Sequence, residues 1–232
     1  MNERQEQILD YIIREHVKTS EPVGSEAVVN NLGLNLSPAT VRLEMARLEK
    51  EGYIYQPHTS AGRIPRDKGY RWFVSSVDDD KSKLTQKDEK VLKKRLTSFQ
   101  DSEKIIKQAA DLLSELTYCT ALATLSSSDI YFHGITNIMR QPEFEKKPTI
   151  LGFADLVDHF NEVLRELPPV EKEIVYIGEE SPYLKKAGCS MIMSPYQLKE
   201  REGVLGLIGP TRMHYERNIP LLEFVTSYFD EF

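Results

Sequence analysis

No disulfide framework can form in this chain, because its 232 residues include only two cysteines. Cys119 and Cys189 share no metal-ligand spacing, so they read as reduced, largely buried thiols. Five histidines are scattered, and none stands three or four residues from another His or Cys that could join it on a metal. A phosphate loop ending in Gly-Lys-Ser/Thr, a nucleophile elbow and a paired-histidine zinc helix are all missing. Gly203, Gly206 and Gly209 have the wrong spacing for a dinucleotide fingerprint and suit a strand where backbones pack closely. No catalytic residue, metal or cofactor is therefore expected. No apolar run approaches the ~20 residues of a membrane span, and residues 1–10 are too charged for a secretory signal, which predicts a cytoplasmic protein. A net charge of −6 excludes a non-specific nucleic-acid coat.

Charge is unevenly placed. Residues 1–76 hold ten basic and ten acidic side chains, whereas 37–76 hold seven basic against four acidic. That basic stretch also carries the densest signals. Ser37 is an N-cap candidate with Pro38 at the first helical position. Val41, Met45 and Leu48 follow on one apolar face, leaving Thr40, Arg42, Leu43, Ala46 and Arg47 on the other. Gly52 ends the helix, Tyr53-Ile54-Tyr55 reads as a short strand, and Gln56 to Arg63 is a small, polar tip. Ile64 begins a return strand. Either piece alone reads as an ordinary surface helix or loop. Adjoining, with helices at 3–16 and 25–31 upstream, they read as the recognition helix and wing of a winged helix-turn-helix. The candidate DNA contacts are Ser37, Thr40, Arg42, Leu43 and Arg47 on the helix, with His58, Thr59, Ser60, Gly62 and Arg63 on the wing. Arginine and threonine can reach base edges or phosphates, and a glycine-bearing tip can lay free N–H groups on phosphate oxygens. Tyr70, Trp72, Phe73 and Val74 read as packing that closes this domain.

Beyond a charged linker, 84–116 predicts one long helix with Leu92, Leu96, Phe99 and Ile106 near heptad spacing. Such a seam needs a partner surface, either the second domain or the same helix of another subunit. As a dimer surface it offers those four residues. Residues 149–167 predict a further helix, 173–177, 190–194 and 204–208 predict strands, and 218–232 a last helix. These make an α+β domain with a small antiparallel sheet.

Several runs carry a resemblance: Glu21-Pro22-Val23-Gly24-Ser25, Ser37-Pro38-Ala39-Thr40-Val41-Arg42, Pro57-His58-Thr59-Ser60-Ala61-Gly62-Arg63-Ile64-Pro65 and Asp67-Lys68-Gly69-Tyr70-Arg71. Together with residues 134–144 and 203–215, they resemble the HrcA family of bacterial heat-inducible transcription repressors. The resemblance implies an α+β protein: a winged helix-turn-helix over 1–76, a linker and long helix over 77–117, and a GAF-like regulatory domain over 118–232. It also implies a homodimer on an inverted-repeat DNA operator of chaperone operons, release on heating, and a chaperonin of the GroEL type as partner, in which Arg212 and His214 are surface candidates. Leu43 stands where the family usually carries asparagine, and Arg66 where it often carries threonine. The inserted dimerising domain usual in the family has no room here. The rival is a protein-interaction or ligand-sensing module that uses the winged helix as scaffold.

Overall fold

The computed structural model describes residues 1–33, 36–76, 84–97, 100–126 and 129–232. They form two compact units, Met1–Val77 and Asp78–Phe232.

In the first unit, α1 (Glu3–Thr19) starts at a reciprocal cap. The Asn2 side chain accepts the Gln5 N–H at 2.9 Å, and the Gln5 side chain accepts the Asn2 N–H at 3.1 Å. Its buried stripe is Ile8, Leu9, Ile12, Ile13 and Val17. The second helix, α2 (Ser25–Leu32), begins after Gly24. Ser25 is therefore not the N-cap; its buried hydroxyl accepts Arg42 Nε at 3.2 Å instead. The third, α3 (Pro38–Lys50), is capped as expected, with Ser37 Oγ accepting the Thr40 N–H at 3.1 Å. A hairpin of β1 (Ile54–Tyr55) and β2 (Ile64–Pro65) follows. Val23 and Arg63 extend it by a bridge of two backbone hydrogen bonds. Gly62 lies so close to the Val23 carbonyl that a β-carbon there would collide with it, so the wing docks only as glycine. Then α4 (Asp67–Ser76) packs Tyr70 and Phe73 into the core with Val28, Val41, Met45, Leu48 and Ile54.

The second unit holds the predicted antiparallel sheet with longer strands. These are β3 (Thr120–Thr124), β4 (Ile130–His133), β5 (Ile174–Ile177), β6 (Cys189–Leu198) and β7 (Arg201–Pro210), in the order β4-β3-β7-β6-β5. Helices cover both faces. On one face, Cys189, Met191 and Met193 join a core with Phe153, Leu156, Phe160, Val163 and Leu184. Ile138 of the same core comes from α7 (Ile135–Met139), Phe153 and Leu156 from α8 (Lys147–Asp158), Phe160 and Val163 from α9 (Phe160–Glu166), and Leu184 from α10 (Pro182–Ala187). The predicted helix over 149–167 is thus two, separated at His159. The other face lies under α11 (Tyr215–Tyr228), where Ser194 Oγ meets Thr226 Oγ1 at 3.2 Å. Both cysteines are free and buried, and burial pushes the Cys119 thiol up to about 11.

The long helix over 84–116 is also two: α5 (Gln86–Leu96), capped by Thr85, and α6 (Ser102–Thr117), capped by Asp101. Arg95 donates to the Glu115 carboxylate at 2.5 and 3.2 Å. Twenty residues apart in one straight helix, those side chains would stand ~30 Å from each other. The pair α5 and α6 belongs to the second unit, and the break folds the apolar seam inward. Leu92, Leu96 and Ile106 have no exposed surface, so the dimer surface proposed for them is intramolecular core. Phe99 lies outside the described residues.

Candidate nucleic-acid interface

The outward face of α3 consists of Ala39, Arg42, Leu43, Ala46, Arg47 and Lys50, all exposed. Their spacing is that of one helical stripe. Two alanines keep the face low while three cations line it. Leu43, 65% exposed, is an apolar side chain in the middle of a charged surface. Opposite lie Val41, Glu44, Met45 and Leu48, all buried. Pattern reading placed the apolar residues on that face correctly and missed Glu44.

Glu44 organises the helix from below. Its carboxylate accepts Gln5 Nε2 at 3.0 Å and holds Arg47 Nη1 at 3.0 Å, with Arg4 Nη1 at 4.0 Å. Its place in the sequence, three residues after Val41 and four before Leu48, was the available signal. Arg47 thus reaches outward from a carboxylate that offsets part of its charge. Arg42 meets the Ser25 hydroxyl and no carboxylate among the described residues. It is the cation on this face best placed to meet a nucleic-acid acceptor.

The wing is held by Glu49, at the inner end of α3. One of its oxygens accepts the Gln56 N–H at 2.9 Å, and the other lies 3.0 Å from Arg63 Nε. Gln56 Nε2 then donates to the carbonyls of Thr59 and Ala61, shaping the tip. Arg63 is accordingly no free basic residue at the tip. Only 17% of its side chain is exposed, because ion pairing and the bridge to Val23 draw it inward. Gly62 is likewise docked rather than displayed. His58, Thr59 and Ser60 are the exposed tip residues. A groove of about 400 Å³ runs between wing and helices, lined among others by Ser25, Arg42, Gln56 and Ser60. Thr40 is half-buried, with its hydroxyl 3.0 Å from Ser37 Oγ. Nothing in the sequence spacing announced the clamp from Glu49 to Gln56 and Arg63, which depends on how the wing folds back.

In the second unit, Arg212 is not a surface contact. Its guanidinium donates to Glu143 at 2.5 and 3.2 Å and to Gln141 at 2.8 Å, with 11% of the side chain exposed. It ties residues 134–144 to 203–215. His214 remains exposed. Among the described residues, no group of three His, Cys, Asp or Glu could hold a metal, and no helix is long and apolar enough to cross a membrane.

A three-helix unit with a docked wing and a cation-lined third helix, followed by an α+β sheet unit, defines the class of winged-helix transcription regulators. Residues 122–219 match the family described as HrcA protein C terminal domain. The heat-inducible transcription repressor HrcA of Thermosynechococcus vestitus is 44% identical over 342 aligned positions, covering 100% of this chain and 97% of that protein. The protein of the same name from Desulforudis audaxviator is 28% identical, covering 97% and 96%. A crystal structure of a hypothetical protein superposes with a TM-score of 0.81 at 20% identity, covering 100% of this chain and 98% of that one, and shares the fold. The chain belongs to the HrcA family of transcription repressors, and DNA is the partner that membership supplies. Its 232 residues spread over 342 aligned positions, so the Thermosynechococcus relative carries residues that this chain lacks.

Proposed function

We propose that this chain is a cytoplasmic, non-enzymatic repressor that binds an inverted-repeat operator of chaperone genes as a homodimer and releases it on heating. The observation that carries this reading is the exposed stripe Ala39–Arg42–Leu43–Ala46–Arg47–Lys50 on α3 beside the polar wing tip. The low stripe enters the major groove, Arg42 reads a base edge, and Leu43 packs on a thymine methyl. Ser37, Thr40 and Arg47 position the helix on the backbone, while His58, Thr59 and Ser60 lie along the flanking phosphates. Arg63 and Gly62 act by holding the wing in place. Covering two half-sites blocks polymerase sterically. Heat relieves the block by disfavouring the folded, two-headed form, and a chaperonin of the GroEL type restores it.

A gel-shift titration with the inverted repeat and a scrambled duplex at two salt concentrations tests this. Binding to the repeat should exceed binding to the scrambled duplex by at least ~10³-fold and weaken steeply with salt. Equal, salt-insensitive affinities would return the winged helix to a scaffold role.

A further inference from the structure

Strand β4 forms one edge of the sheet, and an unpaired edge is a template for another strand. The Leu125 N–H donates to the Asp129 carbonyl at 2.7 Å, so Asp129 faces β3. By the alternation of an antiparallel ladder, Tyr131 and His133 also face β3, opposite Ala123 and Ala121. Ile130 and Phe132 therefore turn their N–H and C=O groups outward, where no described backbone group meets them. The far edge, β5, is preceded by Pro168-Pro169 and by Glu171 and Lys172, devices that discourage pairing. Neither proline nor lysine stands in β4. All four of its side chains are half-buried. Its surface continues into a hollow of about 500 Å³ lined by Tyr118, Phe132 and Ile135, with Tyr118 67% exposed.

A second copy of the same strand, antiparallel about a twofold axis at Tyr131, answers each of these features. Ile130 falls opposite Phe132 of the partner subunit, and their outward groups make four hydrogen bonds across the axis. On the α9 side, where Phe132 packs edge-on against Phe160, Ile130 gains an apolar cross-strand neighbour. On the α6 side, Asp129 falls opposite His133 of the partner subunit. His133 meets Asp111 through Nδ1 at 2.9 Å, and its Nε2 has no partner among the described residues. A strand reading Asp-Ile-Tyr-Phe-His is thus complementary to itself in backbone, apolar and polar positions. We infer that β4 is a dimerisation edge, joining the sheets of two copies into one. This deepens the operator reading, which calls for two copies, and a closed twofold contact is the symmetry that an inverted repeat requires.

The test uses the full chain with Tyr131→Cys under mild oxidation. At the axis, residue 131 meets itself in a non-hydrogen-bonded pair with Cα atoms ~4.5 Å apart, within disulfide reach. A covalent dimer should appear on a non-reducing gel. The unsubstituted chain, whose two cysteines are buried, should give none. Asp129→Lys, at an exposed position, should weaken self-association in sedimentation by about tenfold, since the carboxylate that can accept from His133 Nε2 is replaced by a side chain that only donates. No cross-link, together with unchanged sedimentation of Asp129→Lys, overturns the edge. If the same preparations still shift the inverted repeat as two copies per duplex, the operator reading stands and only this surface falls. If they show no salt-dependent duplex binding while the cross-link forms, the edge stands and the operator reading falls.

Discussion

Arg47 and Arg212 each hold a carboxylate, one in each unit, yet they do different work. Arg47 leans on Glu44 with 62% of its side chain exposed, and Arg212 is clamped by Glu143 with 11% exposed. In the first unit the carboxylate beneath aims a cation at solvent. In the second, the ion pair is structure, tying two segments across the fold. A basic residue in a family-like motif is therefore no pointer to a surface until its burial and partner are known. The cost of removing such a cation depends on how buried the carboxylate left behind is and on which donors that carboxylate keeps.

The contrast can be broken most forcefully in the apolar interior of the second unit. Leu96→Ala should cost ~2–5 kcal/mol, because Leu96 is fully buried and its removal leaves a cavity. Thermal denaturation followed by circular dichroism checks this, and an unchanged melting temperature would restore the seam as an external surface. Arg212→Ala should cost about 2–3 kcal/mol, less than for a fully buried pair because 32% of the Glu143 side chain is exposed. Melts of this variant beside Arg47→Ala sharpen the comparison directly. Arg47→Ala should cost less, about 1–2 kcal/mol, because the buried Glu44 carboxylate it leaves behind keeps its hydrogen bond from Gln5 and has Arg4 at 4.0 Å. If both variants melt alike, the distinction between aiming and tying is wrong.

Arg42→Ala tests the aimed side. Folding should be intact, while operator affinity falls by ~1–3 kcal/mol and one position of the site loses its preference. Competition gel shifts with single-base variants of the operator would detect this, and an unaltered preference would remove Arg42 from base reading. The smallest stability effect is expected for Leu43→Asn. At an exposed position the melting curve should shift by under ~0.5 kcal/mol, while operator preference changes. A large loss of stability would mean that Leu43 packs on something within the fold.

The first unit was more legible than the second because its signals are local. Ser37 and Pro38 start α3, Gly33 and Gly52 break the chain, and Val41, Met45 and Leu48 declare the buried face within thirteen residues. Even there, long-range pairing escaped notice. Glu49 reaches Gln56 and Arg63, so the arginine that spacing placed at the tip is drawn inward. In the second unit, the lack of Gly and Pro at residues 97–101 concealed a break between α5 and α6. The caps at Thr85 and Asp101 were present but ambiguous, as such residues also sit inside helices. Heptad spacing correctly marked Leu92, Leu96 and Ile106 as needing cover. Whether that cover comes from within or from a partner is a question of how the chain turns.

By itself, the sequence determined the class of fold, the apolar face of α3, the buried cysteines and the antiparallel sheet. Each follows from periodicity, caps or residue chemistry within a few turns of chain. Only the tertiary structure decided which cations are spent on internal carboxylates, where the long helix folds, and which strand is left at the sheet edge. Those depend on groups far apart in sequence meeting in space, and a burial pattern says that a side chain is covered without saying by what.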